Sequence, residues 1–288
     1  MVDGGRLLQR EVWDGRTMQT LRQAGSAPTI VLLGGCGVPH PMWYPVLDLL
    51  PGRSIVVLDR PGIGTPWPGD VPTLAAEVAT IAELAAAESA PVVLVGHSMA
   101  GPHAEAATRL HPALIRGLVL VDPSVEWWPV DRPRSGNRRA RVACSGYRRA
   151  AALVQRMPRP GPITALMRRI IRTALERQTA PSWAFDQVQM AELVGVFAST
   201  QAQAMALGEL GAYRTQIDDL FDLRAAHAWP RTPTEVLTAM KGSPQAWFAA
   251  QGRLAELLAA QHRMVASGHN LMLGCPEAIA ESVARVSR

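Results

Sequence analysis

The residues of this chain that could do chemistry begin with a serine between small residues. Residues 91–101 read PVVLVGHSMAG, an apolar run that leads into Gly96, Ser98 and Ala100 and then into a helix-forming segment. On a sharp strand-to-helix turn the serine hydroxyl is exposed, and the next amide is unpaired at a helix N-terminus. Small neighbours are needed because such a turn is strained and closely packed. The segment predicts a nucleophilic Ser98, with the Met99 N–H available to a developing oxyanion.

A serine hydroxyl is a poor nucleophile near neutral pH, so it requires a base and a group that orients the base. Seven histidines are available, and His269 stands in the sequence SGHN directly after the last strand-like segment. That position places it on a loop at the edge where the carboxyl ends of parallel strands converge. We therefore predict that His269 is the base for Ser98.

Two carboxylates are candidates for the acid that orients the base. Asp122 ends the strand-like segment GLVLVDPS, and the carboxyl end of that strand lies on the same edge as Ser98. We predict Asp122 as the acid. An aspartate before a proline also commonly caps a turn, so a purely structural role for Asp122 stays open, with Glu126 as the alternative acid.

The elements that must position these residues follow from apolar periodicity. Two segments flanking Asp14-Gly15 predict an antiparallel hairpin. Continuous apolar runs predict strands that are buried on both faces, and helical patterns lie between them. The predicted hairpin strands are 7–13 and 17–22, and the later strands are 29–33, 54–58, 91–95, 118–121, 234–240 and 262–266.

Strand and helix alternate as far as the sixth strand, which favours a parallel, doubly wound α/β sheet. Residues 125–230 then show only apolar and basic helical patterns before the alternation resumes. We predict an α/β core made of residues 1–124 and 231–288 and a helical insertion at 125–230. The core contains a mixed sheet of about eight strands.

The order Ser98, Asp122, His269 and the motifs around these residues resemble those of capped α/β-hydrolases. The resemblance rests on GHSMAG, LLGGCG, LDRPGIG, VDPS and SGHN, and it covers essentially the whole core. It implies a mostly parallel eight-stranded sheet with helices on both faces and a helical cap inserted after strand 6. An acid after strand 6 is a known variant of the family, for instance in haloalkane dehalogenases. Those enzymes use an aspartate nucleophile, so Ser98 disfavours dehalogenase and epoxide hydrolase chemistry.

The resemblance also implies further site residues. The turn after the third strand supplies the second oxyanion N–H in this family, and by position this donor is the Cys36 amide, although Gly34 replaces the usual histidine. Asp59 and Arg60 resemble residues that shape the next loop and its ion pairing. Four tryptophans fall in the two regions that wall the pocket of capped hydrolases, and they predict an apolar acyl or alkyl pocket: Trp43, Trp127, Trp128 and Trp183.

Composition and the absence of certain motifs narrow the remaining classes of protein. The chain has 288 residues, 48% apolar and 18% charged, with no leader-like apolar segment at its start and no run of about 18 apolar residues. Three cysteines without metal-ligand spacing fit reduced thiols, and no nucleotide-binding glycine motif occurs. We predict a cytoplasmic protein that uses no cofactor or metal and binds neither nucleic acid nor membrane. Its oligomeric state is not predicted.

The strongest local charge bias lies at 132–177, which carries thirteen arginines against one acidic residue, Glu176. The ordinary interpretation is a solvated helix face. The functional alternative is a positive field that attracts an anionic substrate or carrier, such as a coenzyme A thioester or an acyl-carrier-protein thioester.

Together these features predict a serine hydrolase that acts on an ester, a thioester or a lactone. One alternative is a non-hydrolytic enzyme of the same fold, such as an acyltransferase, cyclase or lyase, whose cap excludes water. Another is a ligand-binding pseudoenzyme.

Overall fold

The computed structural model describes residues 5–70, 72–126, 138–158 and 161–288. In these residues an eight-stranded sheet runs in the order β1-β2-β4-β3-β5-β6-β7-β8. β1 and β2 form an antiparallel hairpin, β2 pairs antiparallel with β4, and all later pairs are parallel. The strands are β1 (Arg6–Trp13), β2 (Arg16–Gln23), β3 (Ser26–Leu33), β4 (Arg53–Asp59), β5 (Val92–His97), β6 (Ile115–Val121), β7 (Thr234–Ala239) and β8 (Gln261–Val265). The predicted mixed, mostly parallel sheet is confirmed.

Helices cover both faces of the sheet, which explains why the central strands are apolar without alternation. Ile30 and Leu32 of β3 pack into one core layer, whereas Val31 and Leu33 pack into the other. The helices are α1 (Tyr44–Asp48), α2 (Leu74–Ala87), α3 (Ala100–Leu110), α4 (Arg138–Arg156), α5 (Gly161–Gln178), α6 (Gln187–Ala198), α7 (Thr200–Ala226), α8 (Gln245–Leu257), α9 (Leu271–Gly274) and α10 (Pro276–Val286).

Helices α4 to α7 come between β6 and β7 in the chain, in the stretch where the sequence predicts a helical insertion. α4 packs along α7, and α7 in turn contacts α2 and α3 of the core. An ion pair joins the two parts, because Arg224 of α7 lies 2.6 Å from buried Glu105 of α3. The inserted helices are therefore anchored through α7 to α2 and α3.

Element boundaries differ from the predicted ones by a few residues. β6 begins at Ile115 rather than at 118, because Ile115 and Gly117 already pair with β5. α8 ends at Leu257, where the chain turns through Ala259 in the left-handed region at φ 46°. In the ranges given above, no helix has both the length and the apolar character required to cross a membrane.

Candidate active site

Ser98 lies on a tight turn between β5 and α3, with the strained backbone that the sequence predicts. Its φ is 52°, in the left-handed region that non-glycine residues rarely adopt. A Cβ on Gly96 would lie 2.8 Å from the Ala100 carbonyl oxygen, and one on Gly35 would lie 2.7 Å from the Ser98 Cβ. Only glycine fits at these two positions, and the close packing holds the serine at the carboxyl end of the sheet.

Backbone hydrogen bonds tie this turn to the end of the neighbouring strand. The Ser98 N–H donates to the Val121 carbonyl of β6 at 3.0 Å. The Ser98 carbonyl accepts from the Gly101 amide at 3.0 Å and from the Ser124 amide at 2.9 Å. The ends of β5 and β6 are therefore fixed to one another at the position of the serine.

Three side chains that are distant in sequence meet at this edge. The His269 Nε2 lies 3.0 Å from the Ser98 Oγ, and the His269 Nδ1 lies 2.6 Å from the Asp122 Oδ2. His269 is half exposed on the loop after β8, whereas the Asp122 side chain is buried. The arrangement is a hydroxyl, an imidazole and a carboxylate in one hydrogen-bonded chain, in which the imidazole can accept the hydroxyl proton.

Asp122 is held by more than the imidazole. Its Oδ1 accepts from the Ala239 N–H at 3.1 Å and from the Trp247 Nε1 at 2.9 Å. Like Ser98, Asp122 has a positive φ, of 42°. Glu126, the alternative acid of the sequence analysis, lies beside Tyr213. Burial is the larger cause and the charge of Glu126 the second cause of the raised pKa of the Tyr213 phenol. Asp122 is thus the carboxylate that contacts His269.

The two backbone amides predicted to bind an oxyanion lie on the two segments that meet at the serine. Met99 is the residue before α3, so its N–H lies at the helix N-terminus, and Cys36 lies on the Gly-rich loop after β3. This loop closes directly against the serine turn, because Gly35 is adjacent to Ser98. We refer to residues 34–37 as the oxyanion loop, after the role that the sequence predicts for it. Neither the Cys36 nor the Met99 amide donates to another group within the described residues, so both are available to a ligand.

His97 is a site residue that the sequence analysis missed. Its Nδ1 accepts from the Gly35 N–H at 3.3 Å, and its Nε2 lies 3.1 Å from the His269 carbonyl oxygen. Burial, followed by the nearby charge of His269, lowers the pKa of His97 to about 3. The ring is therefore neutral with its proton on Nε2, and it joins the oxyanion loop to the loop of the predicted base. The only sequence signal was its place immediately before Ser98.

Asp59 and Arg60 each form an ion pair, as the resemblance implies. Asp59 binds His40, a buried residue that follows the oxyanion loop, with His40 Nδ1 2.5 Å from Asp59 Oδ2. The His40 Nε2 lies 3.2 Å from Glu192 of α6. Burial alone would lower the pKa of His40, but the two carboxylates raise it to about 9. His40 is consequently an imidazolium at neutral pH.

The predicted pocket tryptophans are placed differently from one another. Trp43 has no exposed surface and packs in the core edge-on to His97, so this structure offers it no contact with a substrate. Trp183 lines a cavity of about 340 Å³ with Phe185 and Met190. Trp127 and Trp128 lie outside the described residues. A larger cavity of about 600 Å³ lies beside Arg60 and α7, and its lining does not include the serine or His269.

Comparisons with known proteins place this architecture in a family. The model of the alpha/beta hydrolase family matches residues 30–282. A pimeloyl-[acyl-carrier protein] methyl ester esterase of Pseudoalteromonas atlantica is 34% identical over 114 residues, which cover 38% of this chain and 42% of that protein. The match thus spans less than half of the relative.

Two solved structures illustrate the range of activities on this fold. The thioesterase domain from the curacin biosynthetic pathway superposes with a TM-score of 0.68 at 17% identity, covering 98% of this chain and 100% of that one. The Cif epoxide hydrolase from Acinetobacter nosocomialis has a TM-score of 0.68 at 17% identity, covering 99% and 90%. Similarity at this level shows the fold alone. Since the family model spans most of the sequence, the chain belongs to the alpha/beta hydrolase family.

Proposed function

We propose that the protein is a serine hydrolase that forms an acyl-enzyme on Ser98. The observation that carries the proposal is the hydrogen-bonded series from the Ser98 Oγ through His269 to Asp122, with distances of 3.0 and 2.6 Å. A buried carboxylate that binds Nδ1 leaves Nε2 as the proton acceptor that faces the hydroxyl. With a serine at this position there is no carboxylate to form the alkyl-enzyme ester of epoxide hydrolases and dehalogenases.

In the first half-reaction the Ser98 oxygen attacks the acyl carbonyl carbon while His269 Nε2 takes the hydroxyl proton. The carbonyl oxygen becomes an oxyanion, to which the Cys36 and Met99 N–H groups donate. The bond to the leaving alcohol or thiol then breaks, and His269 returns the proton to that group. Asp122 keeps the ring orientation and stabilises the transient imidazolium.

In the second half-reaction His269 accepts a proton from water, and the resulting hydroxide equivalent attacks the ester carbonyl on Ser98. The same two amides hold the second oxyanion. Collapse expels the serine oxygen, which recovers its proton from His269, and the free acid leaves. The residues end in the protonation states in which they began.

We propose an acyl ester, thioester or lactone as the substrate, with a carrier-linked acyl group as one form of it. Support comes from the relative named a pimeloyl-[acyl-carrier protein] methyl ester esterase and from the thioesterase neighbour. The exposed arginines of α4 and α5 offer positive charge to an acidic carrier: Arg148, Arg149, Arg156, Arg168, Arg169, Arg172 and Arg177.

We also propose that 125–230 acts as a cap over the site and that the protein works in the cytoplasm, where its three free thiols stay reduced.

The nucleophile is tested by covalent labelling. Wild-type protein is expected to react with a fluorophosphonate probe at residue 98, and Ser98→Ala is expected to lose both labelling and ester turnover while it keeps its thermal transition. Ser287→Ala, which changes a serine near the C-terminus, is the matched control and should label normally. Labelling that persists in Ser98→Ala would refute the assignment.

A screen of p-nitrophenyl esters, acyl thioesters and lactones then identifies the substrate class. Product analysis separates the remaining alternatives, because a hydrolase releases the free acid, whereas an acyltransferase or cyclase passes the acyl group to another acceptor.

A further inference from the structure

The oxyanion loop is held from behind by a buried arginine. The Arg60 Nη2 donates to the carbonyl oxygens of Gly34 and Gly35, each at 2.7 Å. These are the two residues immediately before Cys36, so their carbonyl directions determine the direction of the following amides. Arg60 comes directly after β4, and its side chain is about nine-tenths buried. A planar guanidinium can bind several acceptors at fixed angles, which an ammonium cannot do.

The same loop is held on its other side by a carboxylate of α7. Glu209 accepts from the Gly37 N–H at 3.1 Å and forms an ion pair with the Arg60 Nε. Its side chain is 2% exposed. Both neighbours of Cys36 along the chain are therefore bonded to this ion pair.

Stability alone is a poor reason for such a pair. Taking an arginine and a glutamate out of water is costly for each ion, and a packed apolar pair of similar volume is often at least as stable. Directional bonds to three backbone groups of one short loop are something that an apolar pair could not provide.

We propose that Arg60 and Glu209 are positioning residues that orient the Cys36 N–H for the oxyanion. Because Glu209 belongs to α7, the loop reaches this geometry only when the inserted helices are docked on the core. Docking of the insertion then controls the chemical step as well as access to the site. This inference rests on the proposed serine hydrolase function.

The test variant is Glu209→Gln. In Glu209 the Oε2 atom accepts from the Gly37 N–H and the Oε1 atom pairs with Arg60, so a glutamine, which has an NH2 group in place of one of these oxygens, keeps only one of the two contacts in place. The expected result is a kcat for ester hydrolysis that is about tenfold to a hundredfold lower, with KM changed by less than about threefold, because an oxyanion donor acts mainly in the transition state.

The matched control is Glu105→Gln. Glu105 is also 2% exposed, and it pairs with Arg109 and with Arg224 of α7, remote from the oxyanion loop. This variant is expected to lower the melting temperature while α7 stays docked, so kcat should stay within about twofold of wild type. An equal loss of kcat in both variants would overturn the proposal, because the effect would then be one of general stability.

A second readout is independent of turnover. Amide hydrogen exchange at Gly35 and Val38, measured by NMR, reports on the oxyanion loop. The Gly35 N–H donates to His97 and the Val38 N–H donates to the Gly35 carbonyl, so neither bond involves Glu209. Exchange should accelerate in Glu209→Gln and not in Glu105→Gln, and unchanged exchange together with unchanged kcat would overturn the proposal. Inactive wild-type protein would refute the hydrolase function, while the exchange data would still decide the positioning role. If Glu209→Gln does not fold, Arg60→Lys takes its place. This variant keeps the positive charge but loses the planar guanidinium that binds several acceptors at fixed angles.

Discussion

Two residues of the site, Ser98 and Asp122, share a strained backbone conformation. Both have a positive φ, and both follow the carboxyl end of a parallel strand, β5 for the serine and β6 for the aspartate. Such a conformation costs about 1–3 kcal/mol per residue, and it persists where surrounding bonds enforce it. Here these are the bonds between the Ser98 turn and β6 and the bond from the Asp122 N–H to the Leu237 carbonyl at 2.7 Å. Strain thus coincides with the residues to which we assign the chemistry.

The identity of the acid is a prediction at the scale of single residues. Asp122→Asn should lower kcat by about 10⁴, because an amide that faces Nδ1 stabilises the wrong imidazole tautomer. Glu126→Gln should leave kcat within a few-fold of wild type, since Glu126 lies beside Tyr213. Steady-state kinetics on one ester compares the two. The reverse ranking would transfer the role to Glu126.

At the scale of elements, the site is a junction between the β5–α3 turn and the loop after β3. Each carries one of the two amides that we propose as oxyanion donors, and the two segments touch where Gly35 meets Ser98. The loop after β8 brings His269, and His97 bonds to two of these three segments. Each catalytic distance therefore depends on how closely backbone segments approach one another.

That close approach makes Gly35→Ala a sharp test. A methyl group there would lie 2.7 Å from the Ser98 Cβ and 3.0 Å from the His97 Nδ1, so the loop has to move away from the serine. We expect kcat to fall about a hundredfold or more, the cost of losing one oxyanion donor. Steady-state kinetics measures the loss of kcat, and thermal unfolding measures any loss of stability separately.

Gly195→Ala makes the same chemical change in α6, where no atom lies within 4 Å of the added methyl. It should leave kcat unchanged and raise the free energy of unfolding by up to about 1 kcal/mol, since alanine is the better helix former. Full activity in Gly35→Ala would show that the Cys36 amide is not required.

For the molecule as a whole, ion pairs join α6 and α7 to α3 and to the segments that follow β3 and β4. Arg224 of α7 reaches Glu105, Glu209 of α7 reaches Arg60, and Glu192 of α6 reaches His40. In each pair at least one of the two side chains is almost completely buried. The relative placement of insertion and core is consequently sensitive to the charge state of these groups.

The pKa of His40 defines the pH range over which its ion pairs stabilise the fold. Because the folded protein raises the pKa of His40 from 6.5 to about 9, its contribution to stability is complete below pH 6.5 and is lost as the pH rises through 9. A shift of this size corresponds to on the order of 3 kcal/mol.

Urea unfolding at pH 6.5, 8 and 9.5 should show a decline in the free energy of unfolding for wild type that is much smaller in His40→Gln. Identical pH dependence in the two proteins would contradict the buried imidazolium.

Local patterns in the sequence were sufficient to predict the strands, the hairpin, helices in the stretch that holds α4 to α7, and the turn at Ser98. Apolar runs, Gly and Pro positions and small neighbours act over a few residues, so they can be interpreted without the fold. The choice of Asp122 rather than Glu126 as the partner of His269, the bridging role of His97 and the burial of Trp43 depend on contacts between distant segments. Only the packing of the sheet against its helices decides these contacts, because the burial that selects them comes from elements far apart in the chain.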